Sequence, residues 1–446
     1  LIEDRLGEHR LNGIDLRVSP PGSRHQIGAV GVERFSVHHS IADATGLILD
    51  TPIGTVVHTG DFKIEEHPCD GQRFDRGRLE EVASDGVRLL LSDSTGAEVE
   101  GRSRLERDAA SGLRQWMEQS PNRIVVATFS SNVFRLRAAL EVARDMNRKV
   151  CLLGMSMRKH TEVARALGLI APLDSLLVAP EDVDTLPRNE VVILAGGTQG
   201  ERRSSLTRLA RDEHTQVHVE SGDTVIFSSR IIPGNELDVL DVINRFERRG
   251  LQVITRRSHP EVHASGHGSR EEQRAMIQII RPEAFVPVHG THHHRRRHLE
   301  LATEEGVSQT QLIDNGNVLE VTRDDLRIVG SVPTGRVYID GLKPLPADLI
   351  EERRAMGSGG LVTILLPLKG GRLRGFPRVL SRGVFDVAER SRVERRMAEH
   401  IRHRMKGDRF VDVNDARETA IGVARGFLIH QQRRRPLIVA DVDGES

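Results

Sequence analysis

Between residues 97 and 290 the chain alternates short apolar runs with stretches of helical periodicity, and few folds accommodate that rhythm. The runs are Ile124–Ala127, Val150–Leu153, Val191–Ala195 and Thr224–Phe227, and helical periodicity falls near 101–118, 131–146, 158–167 and 235–249. Short strands that are almost wholly apolar suit a largely parallel sheet covered by helices on both faces. Each run ends in a polar or glycine-rich loop: Thr128-Phe129-Ser130-Ser131-Asn132, Gly196-Gly197-Thr198-Gln199-Gly200, or Ser228-Ser229. Open α/β sheets gather their ligands at such strand ends.

The flanking segments follow other patterns. Glu33–Val37 approaches a period of two, and Leu47–Asp50, Thr51–Gly54 and Thr55–His58 read as strand, turn and strand. Val87–Leu91 is a short buried-type strand ending at Ser92-Asp93-Ser94-Thr95. A helix over 270–280, the strand segment 284–290 and a basic helix make a further α/β unit, 331–362 looks like a connector, and a basic α/β tail follows from 363. The 446 residues allow two to four domains. Basic and acidic residues balance at 64 each, which excludes a crude polycation but not a basic face; residues 369–409 hold 13 Lys and Arg against five Asp and Glu. No apolar run is long enough for a membrane span, so no membrane partner is expected. Two cysteines, Cys69 and Cys151, cannot form a disulfide framework, and a reducing, cytoplasmic compartment is the default. Aromatic residues at 3% disfavour recognition by many stacked bases. The first residues, Leu1-Ile2-Glu3, carry neither an initiator Met nor a signal-peptide pattern, so a fragment or a processed chain is expected.

Histidines and carboxylates stand at several strand ends. His38-His39-Ser40 follows one strand, His58-Thr59-Gly60-Asp61 another and Val288-His289-Gly290 a third. Imidazole and carboxylate are good zinc ligands, and strand ends can converge while staying rigid. Taken singly, each histidine is more simply a hydrogen-bonded residue; spread across three strands they bring a metal site to even odds. His263-Ala264-Ser265-Gly266-His267-Gly268 suits a loop in which glycine, serine and backbone amides approach a phosphate, with an ordinary polar turn as the alternative. The run His292-His293-His294-Arg295-Arg296-Arg297-His298 opens a helix and reads as a solvated or RNA-facing edge rather than a metal site. Arg433–Arg435 reads as solvated charge guarding the apolar strand after Pro436.

These motifs together resemble bacterial ribonuclease J, a metallo-β-lactamase nuclease family of the β-CASP group. The resemblance rests on His39-Ser40-Ile41-x-Asp43, Thr51-Pro52-x-Gly54-x-x-Val57-His58-Thr59-Gly60-Asp61-Phe62-Lys63 and Ser92-Asp93-Ser94-Thr95. It continues through Ala127–Asn132, Gly222–Ile226, Ile232-Pro233-Gly234-Asn235-Glu236, His263-x-Ser265-Gly266-His267, Pro287-Val288-His289-Gly290 and Arg434-Arg435-Pro436. The motifs are colinear over nearly the whole chain.

The resemblance implies an α/β fold: a metallo-β-lactamase αββα sandwich, incomplete at the N-terminus, with an inserted β-CASP α/β domain and a small C-terminal α/β domain. The implied boundaries are 1–96 and 261–330 for the sandwich, 97–260 for the insertion, 331–362 for a linker and 363–446 for the C-terminal domain. His39, Asp61 and His289 are implied as metal ligands, Asp61 bridging two zinc ions. Asp93 and His267 are implied as catalytic residues. His263, Ala264, Ser265, Gly266 and His267, with Ser130, Ser131 and Asn132, are implied to contact substrate, and Asp340 is a candidate calcium ligand.

Three features depart from the family pattern. The H-x-H-x-D-H motif is absent, so the remaining zinc ligands are expected upstream of residue 1 and the chain by itself is expected to be inactive. Thr291 stands where the family has Glu, and Ala264 where it has Val. The implied function is zinc-dependent hydrolysis of single-stranded RNA, 5′-to-3′ exonucleolytic and endonucleolytic, in RNA processing and decay, by a homodimer or homotetramer. The alternatives are a non-catalytic RNA-binding homologue, or a β-CASP nuclease acting on DNA or on RNA 3′ ends. A small-molecule hydrolase would have no need of residues 97–260.

Overall fold

The computed structural model describes residues 1–173 and 175–442. The chain divides into two compact units, Leu1–Pro333 and Thr334–Ser446.

The first unit holds two sheets. Helix α1 (Ile2–Glu8) leads into β1 (Arg24–Ile27), β2 (Val30–Ser36), β3 (Thr45–Thr51) and β4 (Gly54–His58), an antiparallel meander. After α2 (Arg76–Ser84), strand β5 (Leu89–Asp93) joins β4 in parallel. The chain then leaves this sheet and builds another. Its elements are α3 (Glu106–Gln119), β6 (Ile124–Ala127), α4 (Val133–Asp145), β7 (Lys149–Leu153), α5 (Met155–Ala166), β8 (Val191–Ala195), α6 (Ser205–Ala210), β9 (Thr224–Phe227), α7 (Glu236–Arg248) and β10 (Gln252–Thr255). The five strands are all parallel, in the order β10-β9-β6-β8-β7. Every residue of β6, β8 and β9 is buried, which explains why these strands read as continuous apolar runs.

The chain returns to the first sheet through α8 (Arg270–Ile280), β11 (Ala284–Val288), α9 (His292–Glu304) and β12 (Gln309–Thr310). Strand β11 lies parallel to β5, completing the order β1-β2-β3-β4-β5-β11-β12. One face packs Phe35, Val57, Leu90 and Phe285 against Leu79 of α2, Met276 of α8 and Leu301 of α9. On the other face Val56, Leu89 and Val286 meet Leu319, Val321 and Leu326 of the hairpin β13 (Asn317–Val321) and β14 (Leu326–Ser331). Each such fully buried side chain contributes about 1.5–3 kcal/mol.

In the second unit β15 (Ile339–Asp340) pairs with β16 (Lys343–Pro344), and α10 (Ala347–Gly359) precedes β17 (Leu361–Leu366). Strands β18 (Leu368–Lys369) and β19 (Arg372–Leu373) form a small ribbon. Then come β20 (Arg378–Arg382), α11 (Val387–Arg404), α12 (Val413–Phe427) and β21 (Leu437–Val442), with the sheet order β20-β17-β21. Val362, Ile364 and Leu366 pack on Met397, Ile401, Ala420 and Phe427. Helix α10 falls where the sequence suggested only a connector. None of its residues is buried, so it lacks the apolar stripe by which a helix is read from sequence. Among the described residues no helix is long and apolar enough to cross a membrane.

A buried ion network ties the two sheets of the first unit together. Lys63 and Glu65, just past β4, form an ion pair, and Glu65 Oε1 accepts the backbone N–H of Glu106 at 2.9 Å. Glu106 takes a bidentate pair from the fully buried Arg135 of α4, at 2.8 and 3.0 Å. Arg135 Nη1 also donates to Ser228 Oγ and to the Val262 carbonyl at 3.2 Å. Removing one partner of a buried pair strands the other charge, a loss of about 3–5 kcal/mol, whereas replacing both with apolar groups is far milder. Arg135→Met is therefore expected to destabilise by about 3–5 kcal/mol in urea unfolding, and Arg135→Met with Glu106→Leu to recover much of it. Equal losses in the single and double variants would mean that the stranded carboxylate is not the source.

Candidate metal and phosphate site

Strands β4, β5 and β11 run parallel, with His58 opposite Leu91 and Val288 opposite Asp93, so their C-terminal ends share one edge. The turn after β4 carries Asp61. Its Gly60 has φ +63°, and a Cβ there would lie 2.8 Å from the Thr45 carbonyl, so glycine is required for the turn to close. His58 Nδ1 accepts the Gly60 N–H at 2.9 Å, which fixes that turn. His289, the residue after β11, is itself left-handed at φ +59° and followed by Gly290 at +64°, a backbone that swings the imidazole over the sheet edge.

These turns bring the carboxylate of Asp61 between two histidines. Oδ1 meets His289 Nδ1 at 2.7 Å and Oδ2 lies 3.8 Å from His39 Nε2. His39 Nδ1 lies 2.7 Å from the Gly266 carbonyl; only an N–H can serve there, so Nε2 is left as the lone-pair nitrogen facing Asp61. A Cβ on Gly266 would sit 2.7 Å from the His39 ring, so this approach too needs glycine. Asp93 is buried; its Oδ2 accepts from His267 Nδ1 at 2.6 Å, and its Oδ1 accepts from the Thr95 amide at 2.9 Å and lies 3.7 Å from His289. Two donor groups result, His39 with Asp61 and His267, and Asp61 with Asp93 and His289; within each, the ligand atoms lie within 4.8 Å of one another. Imidazole nitrogens and carboxylate oxygens in these numbers are the chemistry of a divalent transition-metal site.

The electrostatics agree. Burial pushes the Asp93 carboxyl up, but the hydrogen bond from His267 and the nearby His289 outweigh it and hold the group well below the usual carboxylate range. The bond from His289 holds Asp61 low as well. His289, bonded first to Asp61 and then to Asp93, is raised to about 10 and carries a positive charge where two carboxylates converge. Burial lowers His39 and His58.

Beside the donor groups lies a cavity of about 450 Å³ whose lining includes His39, Ser265, His267, Phe129, Arg230 and Ile232. His263, Ala264 and Gly266 line it too. His263 is neutral: burial lowers it first, Arg135 and Arg256 lower it further, and the nearby Ser228 backbone pulls only weakly the other way. Neither of its ring nitrogens makes a well-formed hydrogen bond. Ser265 Oγ accepts the His267 N–H at 3.1 Å and keeps its own proton free to donate. Asn132 lines the cavity while its Oδ1 caps α4 through the Arg135 N–H at 3.0 Å; Ser130 and Ser131 are not among the lining residues. Asp340 is elsewhere, in the second unit, ion-paired to Arg353 at 2.7 Å, and belongs to neither donor group.

The His-rich helix start differs from its reading as a solvated edge. His292 and His293 are exposed and pair with Asp314 and Glu98. His294 and His298 are buried, one helical turn apart on the face that carries Leu301. His294 lines the cavity, accepts the Thr291 N–H and meets Glu98 at 3.1 Å. His298 packs on Phe285, and burial lowers it to about 3. Arg230 is a cavity residue that sequence reasoning did not single out; it follows Ser228-Ser229 directly.

The family profile "Ribonuclease J, beta-CASP domain" matches residues 121–246, and "Zn-dependent metallo-hydrolase RNA specificity domain" matches 259–311. The chain is 31% identical to ribonuclease J2 of Bacillus subtilis, covering 98% of this chain and 80% of that protein. It is 37% identical to ribonuclease J of Thermus thermophilus, over 89% of this chain and 70% of the relative. Identity to ribonuclease J of Synechocystis sp. is 38%, over 86% of this chain and 61% of that protein's length. The chain likewise spans 55% and 64% of the ribonucleases J of Corynebacterium glutamicum and Sinorhizobium meliloti.

The raised His289 has a measurable consequence. Its protonation stabilises the fold fully below the ordinary histidine value of 6.5, and that contribution is lost as the pH rises through about 10. In chelator-treated protein an NMR titration of the His289 ring is expected to give a midpoint near 10, and Asp61→Asn to move it down. A midpoint at the ordinary value in the wild type would contradict the pairing.

Proposed function

The chain belongs to the ribonuclease J family, and from that premise we propose that it is a metal-dependent ribonuclease that hydrolyses phosphodiester bonds of single-stranded RNA. The observation that carries this reading is the Asp61 carboxylate, shared between two groups of metal-donor residues beside a cavity of about 450 Å³. In this reading His39, Asp61 and His289 hold divalent metal, taken as zinc from the donor set and the family description. When bound, the metal supplies Lewis-acid stabilisation of phosphoryl charge and lowers the pKa of water toward neutrality.

The chain's own residues do the rest. The Ser265 hydroxyl and the amides of the 263–267 loop hold the phosphate. Asp93 accepts from His267 Nδ1 and so turns Nε2 toward the reacting group; that nitrogen carries a proton to the leaving 3′-oxygen, giving 5′-phosphate and 3′-hydroxyl ends. Phe129, Asn132 and Arg230 line the approach of the strand. Exonucleolytic and endonucleolytic action in RNA processing, a cytoplasmic location and assembly as a homodimer or homotetramer belong to the same reading. Asp340 as a calcium ligand is its weakest part, since Arg353 already neutralises that carboxylate.

The division of roles is testable in metal-loaded protein extended upstream to supply the H-x-H-x-D-H ligands of the family. His267→Ala is expected to keep its metal and to lose about 10²- to 10⁴-fold in single-turnover cleavage of RNA. Asp93→Ala is expected to behave alike, and the double variant to be little worse than either, because the pair acts as one unit. Loss of metal in His267→Ala would make that histidine a ligand, as its grouping with His39 and Asp61 allows. Near-wild-type cleavage would remove it from the chemistry, and RNA binding without any cleavage by the wild type would favour a non-catalytic homologue.

A further inference from the structure

The second unit carries a feature that the catalytic reading leaves unused. Of the chain's 12 Phe, one Tyr and one Trp, the most exposed ring is Phe376, at 59%. It stands between β19 and β20, and the guanidinium of Arg402 from α11 lies 3.8 Å from its centroid. The ring forms one wall of a cleft of about 460 Å³ between β20 and one face of α11, lined also by Arg378 and Arg395.

Charge says what kind of partner fits. Arg374, Arg378 and Arg395 are exposed and make no ion pair among the described residues. Two carboxylates line the cleft; Glu394 is occupied by the Ser381 N–H and hydroxyl at 2.7 Å, which leaves Glu399 as the acidic group beside Arg378 and Arg395. A second copy of this chain meeting the patch face to face would set arginine against arginine. A polyanion with flat bases fits on both counts: a base stacks on the open side of the Phe376–Arg402 pair, and the arginines take the flanking phosphates.

We propose that the cleft between β20 and α11 is a second binding site for single-stranded RNA, with Phe376 and Arg402 as the stacking platform and Arg378 and Arg395 binding phosphates. The partner being RNA rests on the function proposed above. The site is made wholly within the second unit and is separate from the residues assigned to cleavage.

The test uses the whole chain with metal chelated to prevent hydrolysis, and poly(U) as the probe. Phe376→Ala is expected to weaken binding about tenfold at low salt. Arg378→Ala with Arg395→Ala is expected to flatten the plot of log affinity against log salt by about 0.7 for each phosphate that is no longer neutralised. A 4-thiouridine oligonucleotide should crosslink to peptides from 369–409. All of these residues are exposed, so circular dichroism and sedimentation should match the wild type. Unchanged affinity and slope, with crosslinks confined to the 263–267 loop, would overturn the second site and leave the proposed ribonuclease standing. A change in oligomeric state with unchanged RNA affinity would mean that the patch binds another copy of the chain. Absence of RNA binding by the wild type would overturn both readings.

Discussion

Parallel pairing of β4, β5 and β11 is the constraint on which the site depends. Residues 61, 93 and 289 are far apart in the chain, yet the register sets them along one edge because all three strands end there. The strands do so only because helices, not hairpins, return the chain between β4 and β5 and before β11. Burial on the helical face by Phe35, Val57, Leu90 and Phe285 keeps that register, since a slip by one residue would turn the apolar set outward. What stands at the edge is then held by turns that few residues could adopt, Gly60 and the left-handed pair His289-Gly290.

The second dependency is the packing of the loop 263–267 against that edge. The His39–Gly266 hydrogen bond reaches across 227 residues, and the network from Lys63 to Arg135 ends on the Val262 carbonyl just before the loop. The candidate metal donors of the first sheet and the 263–267 loop of the return segment are thus positioned by the same set of buried interactions. Family membership and this geometry agree on a metal cofactor.

Much of this was legible in the sequence, and the reasons are physical. Apolar runs such as Val191–Ala195 announce a parallel sheet because both faces are buried, and helices such as α8 carry a clean apolar stripe. Position at strand ends brought forward His38, His39, His58, Asp61 and His289 alike, and the family resemblance picked out His39, Asp61 and His289. What was not legible is tertiary. His38 and His39 are adjacent, but the first is a buried structural residue that accepts the Glu65 N–H at 3.0 Å while the second faces Asp61. His294 and His298 hide inside a run of histidines and arginines that reads as solvated until the helix periodicity is set against its neighbours. Helix α10 has no stripe to read, and Arg230 enters the cavity from a loop with no signature of its own.

Anomalous diffraction at the zinc absorption edge, from crystals of the zinc-loaded protein, tests the central claim most directly. The account places bound zinc against Asp61, within about 2.0–2.2 Å of one of its oxygens, with His39 or His289 beside it. Peaks at His292, His293 and Glu98, or a single peak that leaves Asp61 outside ligand distance, would contradict it.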